Sequence, residues 1–175
     1  MAKAVIYGFG DQEQRLCEIL EGLDITPLAV PREDMGQQVG YLCGFKGYRR
    51  KNREPGELPR GYAMVLFDGL SRDDLDRTLK AIHDGGITVR SLKAMVTPTN
   101  RNWTLDALLG EIHQEQQIMG ELMKLGKLRK EFTPDPFNLP LMQALMQAEK
   151  CFSGGEEVTM ESVKKAIADL QALKK

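Results

Sequence analysis

Short runs that are apolar at nearly every position constrain this chain more than any other feature. Val5-Ile6-Tyr7-Gly8, Met64-Val65-Leu66-Phe67 and Ala94-Met95-Val96 show no alternation of apolar and polar residues. A strand with one face in water alternates, whereas a strand covered on both faces does not. Strands of this kind require helices on both sides of a sheet, and the segments between them supply such helices. After Gly10, residues Leu16, Ile19, Leu20 and Leu23 fall at i, i+3, i+4 and i+7, which is one face of a helix. Ser71-Arg72-Asp73-Asp74 has the form of a capping box, and Leu75, Leu79 and Ile82 follow as an apolar stripe that stops at Gly85-Gly86. From Trp103 a long helix is expected, with Thr104 as N-cap and Asp106 in its first turn. Ile25–Val30 reads as a further strand, and Pro27 within it marks an edge.

The order is therefore strand–helix–strand, an irregular span over 31–60, then strand–helix–strand–helix. This predicts an α/β fold with a small four-stranded, mostly parallel sheet in three layers and a C-terminal helical appendage. If the irregular span holds a crossover helix, for which Met35–Cys43 is the candidate, all four strands run parallel. The alternative is a ferredoxin-like α+β sheet made of two antiparallel halves. Residues 1–130 form the α/β domain in this reading, and residues 131–175 a Pro-rich linker, TPDPFNLP, and a helix pair. The first of these helices enters at Asn138-Leu139-Pro140 and stops at Ser153-Gly154-Gly155, and Thr159 caps the second. Each carries an apolar stripe, which makes a homodimer through the C-terminal helices an expectation.

Composition narrows the function classes. A net charge of -1 and a pI near 6.2 argue against overall electrostatic affinity for nucleic acid or an anionic membrane. No apolar run approaches the ~20 residues needed to span a bilayer. The segment MAKAVIYGFG lacks the apolar core of a signal peptide and reads as a first strand, so a cytoplasmic location is expected. Cys17, Cys43 and Cys151 are odd in number and far apart, and His83 and His113 have no ligand-spaced neighbours. Neither a disulfide framework nor a metal site is expected, and no cofactor is implied.

In a doubly wound sheet, ligands sit outside the carboxyl ends of the strands. On an all-parallel sheet three loops converge there, carrying Gly8 and Gly10, Asp68, and Thr97, Thr99 and Asn100. A small anion could meet the hydroxyls, the amide and the N–H groups of the Thr97-Pro98-Thr99-Asn100 turn, with Asp68 as the one general acid or base in reach. The same turn also has a local reading. Thr99 and Asn100 bond nearby backbone, Thr104 caps, and Trp103 packs as a staple on its helix. Gly8-Phe9-Gly10 begins like G-x-G-x-x-G, but position 13 is a glutamate. The sequence contains no phosphate-binding loop of the G-x-x-x-x-G-K-[ST] type and no G-x-S-x-G elbow. A basic patch, Lys46, Arg49, Arg50, Lys51 and Arg53, surrounds Tyr48, which could stack on a base. Against nucleic acid stands the reading of a solvated loop balanced by Glu54 and Glu57.

Met64–Leu79 and Leu92–Leu109, the latter containing K-A-M-V-T-P-T-N-x-x-W-T, resemble a bacterial family of domains of unknown function. Tyr7–Phe9 and Met35–Gly44 also resemble the region that often precedes such domains. The resemblance spans residues 3–117 and leaves the tail after Lys130 outside it. It implies no activity and no catalytic residues. Lacking a complete catalytic constellation, the chain reads as a non-catalytic regulatory or interaction module with an anion site at the strand ends. The alternative is an enzyme acting on a small anionic substrate at the same edge.

Overall fold

The computed structural model describes residues 1–153 and 158–174. Gly154 and Gly155, at which a helix is expected to stop, lie outside the described residues. The chain forms two compact units, Met1–His113 and Gln114–Lys175. The division falls inside a helix, not at the Pro-rich linker, so the expected boundary at residue 130 lies within the second unit.

In the first unit β1 (Ala2–Tyr7) leads to α1 (Glu13–Glu21) and β2 (Ile25–Ala29). A span with one short helix, α2 (Val39–Leu42), precedes β3 (Ala63–Asp68), α3 (Arg72–Asp84) and β4 (Ser91–Met95). The sheet order is β2-β1-β3-β4, which puts the proline-bearing β2 at an edge, as Pro27 requires. Ser71 caps α3 by accepting a hydrogen bond from the Asp74 N–H at 3.1 Å. Its hydroxyl donates to the Asp74 carboxylate at 2.6 Å, in place of the return bond to backbone that closes a full capping box.

Both faces of the sheet are covered, as the unbroken apolar runs demand. Ala4, Ile6, Val65 and Phe67 pack with Leu16, Leu20 and Ile82 on the α1/α3 side. Val5, Met64, Leu66 and Leu92 pack with Met35, Val39, Leu105 and Leu109 on the other. This is the expected three-layer α/β fold with a mostly parallel sheet. The all-parallel version, however, is overturned at the centre. β1 pairs with β2 and β3 with β4 in parallel, but β1 and β3 are antiparallel, Lys3 facing Asp68 and Tyr7 facing Met64. The reason lies in the 31–60 span. Its longest helix has four residues, too short to carry the chain from one end of the sheet to the other. The chain leaves β2 and enters β3 at the same end, and the two βαβ halves run in opposite directions.

α4 (Leu105–Arg129) runs from the first unit into the second. In the second unit α5 (Leu139–Lys150) is entered through Asn138, whose side chain accepts from the Leu141 N–H. α6 (Met160–Ala172) is entered through a complete capping box between Thr159 and Ser162. Leu125, Ala144, Ala148, Val163, Ala166 and Leu170 form this unit's core. Among the described residues no helix is long and apolar enough to cross a membrane.

Candidate functional site

The antiparallel centre separates the three loops expected at one mouth. Asp68 ends β3 and Thr97 follows β4, and these two loops do lie side by side: the Val96 N–H donates to the Phe67 carbonyl at 2.7 Å. Gly8 and Gly10 follow β1 at the opposite end of the strands, beside the start of β3. A Cβ on Gly8 would stand 3.0 Å from the Tyr62 carbonyl oxygen, and Gly8 itself has φ +81°. Glycine is needed there for a tight exit past a neighbouring strand. A mouth combining Gly8 and Gly10 with Asp68, Thr97, Thr99 and Asn100 therefore does not form.

The Thr97–Asn100 turn is closed upon itself. The Thr97 N–H donates to Asn100 Oδ1 at 2.8 Å, and the Asn100 N–H donates to Thr97 Oγ1 at 3.1 Å. Asn100 Nδ2 then reaches back to the Met95 carbonyl at 2.9 Å. Thr99 is exposed, and its carbonyl accepts from the Asn102 N–H at 3.2 Å. Trp103 is 39% exposed, and its backbone carbonyl accepts the Val39 N–H at 2.9 Å.

That bond belongs to a short ladder the sequence did not announce. The Leu105 N–H donates to the Gln37 carbonyl at 3.0 Å, and the Asp106 N–H to the Met35 carbonyl at 2.9 Å. Gln38 and Thr104 form an antiparallel bridge between them. Segment 35–39 is thus laid along the entry of α4. Asp106, 5% exposed, then holds the next stretch of chain. Its carboxylate accepts from the Gly56 N–H at 2.6 Å, the Ala107 N–H at 2.7 Å and the Thr104 hydroxyl. Burial pushes the Asp106 carboxyl up, but these donors and the Arg53 charge outweigh it and hold the group below its ordinary value.

The basic patch is anchored by the same device. Gln37, only 2% exposed, turns both ends of its amide onto Lys51: Nε2 donates to the Lys51 carbonyl at 2.7 Å, and Oε1 accepts the Lys51 N–H at 2.8 Å. Arg50 pairs with Asp34. The Tyr48 ring lies where a Cβ on Gly40 would come within 2.6 Å of it, and its hydroxyl donates to Asn102 Oδ1 at 2.5 Å. Tyr48 is therefore packed and bonded in place. Lys46, Arg49, Lys51 and Arg53 stay exposed around it.

No group of three or more metal-ligating side chains lies together among the described residues. The cysteines are unpaired. Burial, the nearby Asp68 carboxylate adding to it, pushes the Cys43 thiol up to about 11, which keeps it protonated and poorly nucleophilic. Lys3 Nζ donates to the Cys43 carbonyl at 2.5 Å, tying the first turn after α2 to β1.

Open apolar grooves lie in the second unit, lined in part by methionines. One groove of about 660 Å³ is lined by Gly126, Phe132, Met142, Met146 and Phe152, with Arg129, Lys130 and Glu149 at its rim. A second, of about 480 Å³, shares Gly126, Lys130 and Phe152 and adds Met119 and Met123. Gly126 lines both grooves and lies close to the Phe152 ring, which a Cβ there would meet at 3.6 Å, an ordinary contact. Met119, Met123 and Met146 are each about 60% exposed, which is unusual for this residue type.

No curated protein and no solved structure matches the chain. The stretch from Ala63 matches from the start of β3 into α4, narrower at its N-terminal side than the resemblance read from the sequence. Residues 63–119, about a third of the chain, match the family model described as Domain of unknown function (DUF3783).

Proposed function

We propose that the protein is a non-catalytic interaction module, with the α/β unit as a scaffold and the second unit as the surface that takes a partner. The observation that carries this reading is the methionine- and phenylalanine-lined groove of residues 119–152. Unbranched, polarisable methionine side chains adapt to different apolar surfaces, which suits a binding face better than a fixed core. The hydrogen bonding around Thr97 and Asn100 supports it from the other side. Those groups are spent on backbone, so a small anion at the Asp68/Thr97 edge would have to displace bonds already made. A cytoplasmic location accords with three unpaired cysteines.

The rival reading, an enzyme acting on a small anionic substrate, rests on Asp68 standing beside the Thr97 loop. Purified protein offered phosphorylated and carboxylated metabolites is expected to show no turnover; turnover that collapses in Asp68→Asn overturns the proposal. A photo-crosslinking residue at position 146 in living cells is expected to yield a discrete adduct. The same residue at Lys80, exposed on α3, is expected to yield none.

A further inference from the structure

The groove is open, and the same unit displays an apolar side chain without a seat. Phe137 is 97% exposed and Leu139, two residues on, 65%. A phenylalanine ring so presented leaves a large apolar area in water. Phe137 is also held in place by its neighbours: the Phe137 N–H donates to Asp135 Oδ1 at 3.0 Å, and the Asn138 N–H to the Asp135 carbonyl at 3.0 Å. The projecting ring is thus presented by a fixed turn beside one carboxylate.

The groove has the complementary chemistry. Its lining is mostly apolar and includes the cationic side chains of Lys127, Arg129 and Lys130. Arg129 is taken up by Glu149 at 2.6 Å, while Lys127 and Lys130 form no ion pair among the described residues. Pro134, three residues before Phe137, itself lines the groove. Donor and acceptor are thus close neighbours along the chain in one unit, the arrangement that a two-fold contact between identical surfaces uses.

We propose that the groove is occupied by a second copy of this chain, the Asp135–Phe137 turn of each copy inserting its phenylalanine between Met142, Met146 and Phe152 of the other, with Asp135 near the partner copy's Lys130. Reciprocal insertion needs no exchange of whole helices. This names the occupant of the surface on which the interaction reading rests.

The test is the concentration dependence of the full chain's mass, followed by sedimentation or light scattering. A monomer–dimer equilibrium is expected. Phe137→Ser and Met146→Glu, both at exposed positions, are each expected to weaken it at least about tenfold, with unchanged circular dichroism and melting midpoint. Mixing the two variants is expected to restore association, because the Met146→Glu chain still offers its phenylalanine and the Phe137→Ser chain still offers its groove. A chain that stays monomeric at all concentrations overturns the proposal, as does a dimer indifferent to both variants or a mixture that associates no better than its components. If the chain is monomeric but the position-146 crosslink captures a different protein, self-insertion falls and the interaction reading stands. If the crosslink captures nothing, both fall.

Discussion

At the scale of single residues, Asp106 does more than its place in the first turn of a helix suggests. An acid there interacts favourably with the helix dipole, an effect of about 0.3–1 kcal/mol for an exposed group. Asp106 is instead buried and gathers the Gly56 and Ala107 N–H groups and the Thr104 hydroxyl on one carboxylate. Asp106→Asn replaces one acceptor oxygen by a donor that faces other donors. It is expected to lower stability by about 2 kcal/mol near neutral pH, measured by urea unfolding. The pH dependence follows from the direction of the shift. The carboxyl is held lower in the folded chain than in the unfolded one, so the unfolded state takes up the proton first on acidification. The stabilisation is complete above the ordinary carboxylate value, about 3.9, and disappears as pH falls through the lower folded value. The gap between wild type and Asp106→Asn should therefore narrow below about pH 4. A gap that stays constant down to pH 2 would show that the charge plays no part.

At the scale of elements, the 31–60 span shows how a segment with little regular structure can still be fixed. Its N-terminal part is laddered onto the entry of α4 through Met35, Gln37 and Val39, and its basic part is tied back through the Gln37 amide. Gln37→Leu keeps the bulk but leaves the Lys51 N–H and carbonyl without partners. Losing two part-buried bonds should raise the population of locally open loop by about tenfold. Trypsin cleavage after Arg49, Arg50, Lys51 or Arg53 should accelerate to match, while global unfolding changes less; an unchanged cleavage rate would mean that Gln37 is not the tie. The helices and strands themselves were readable from periodicity, and so were the caps at Ser71, Asn138 and Thr159, because those signals are local. Gln37 left no such trace, since a buried glutamine looks in sequence like any surface one. Gly36 is similar: a Cβ there would meet the Arg53 carbonyl at 2.7 Å, a closeness that depends on a loop seventeen positions away. The direction of β3 was hidden for a related reason. It depends on the path of the 31–60 span, and that path is set by these long-range bonds. With the direction went the address of Gly8 and Gly10, so the candidate site was legible residue by residue but not as an assembly.

At the scale of the whole molecule, the chain buries separate cores that share no side chain among the described residues. Leu66 belongs to the core beneath the sheet, and Leu125 to the core that α4 shares with α5 and α6. Both are fully buried, so truncating either to alanine should cost about 2–5 kcal/mol. The consequences should differ by location. A core can open without global unfolding when the remaining contacts suffice for the rest. Leu125→Ala is therefore expected to reduce amide hydrogen-exchange protection in α5 and α6 by at least about tenfold while leaving β1 and β3 close to wild type. Leu66→Ala should do the reverse, exposing the strands and sparing α6. α4 is the informative element, because it contributes Leu105 and Leu109 to one core and Leu125 to the other. If the units open separately, its two halves should each follow the core they serve, and protection should change along the helix in opposite senses for the two variants. Equal loss throughout the chain in either variant would mean that the continuous helix couples the cores into one cooperative unit.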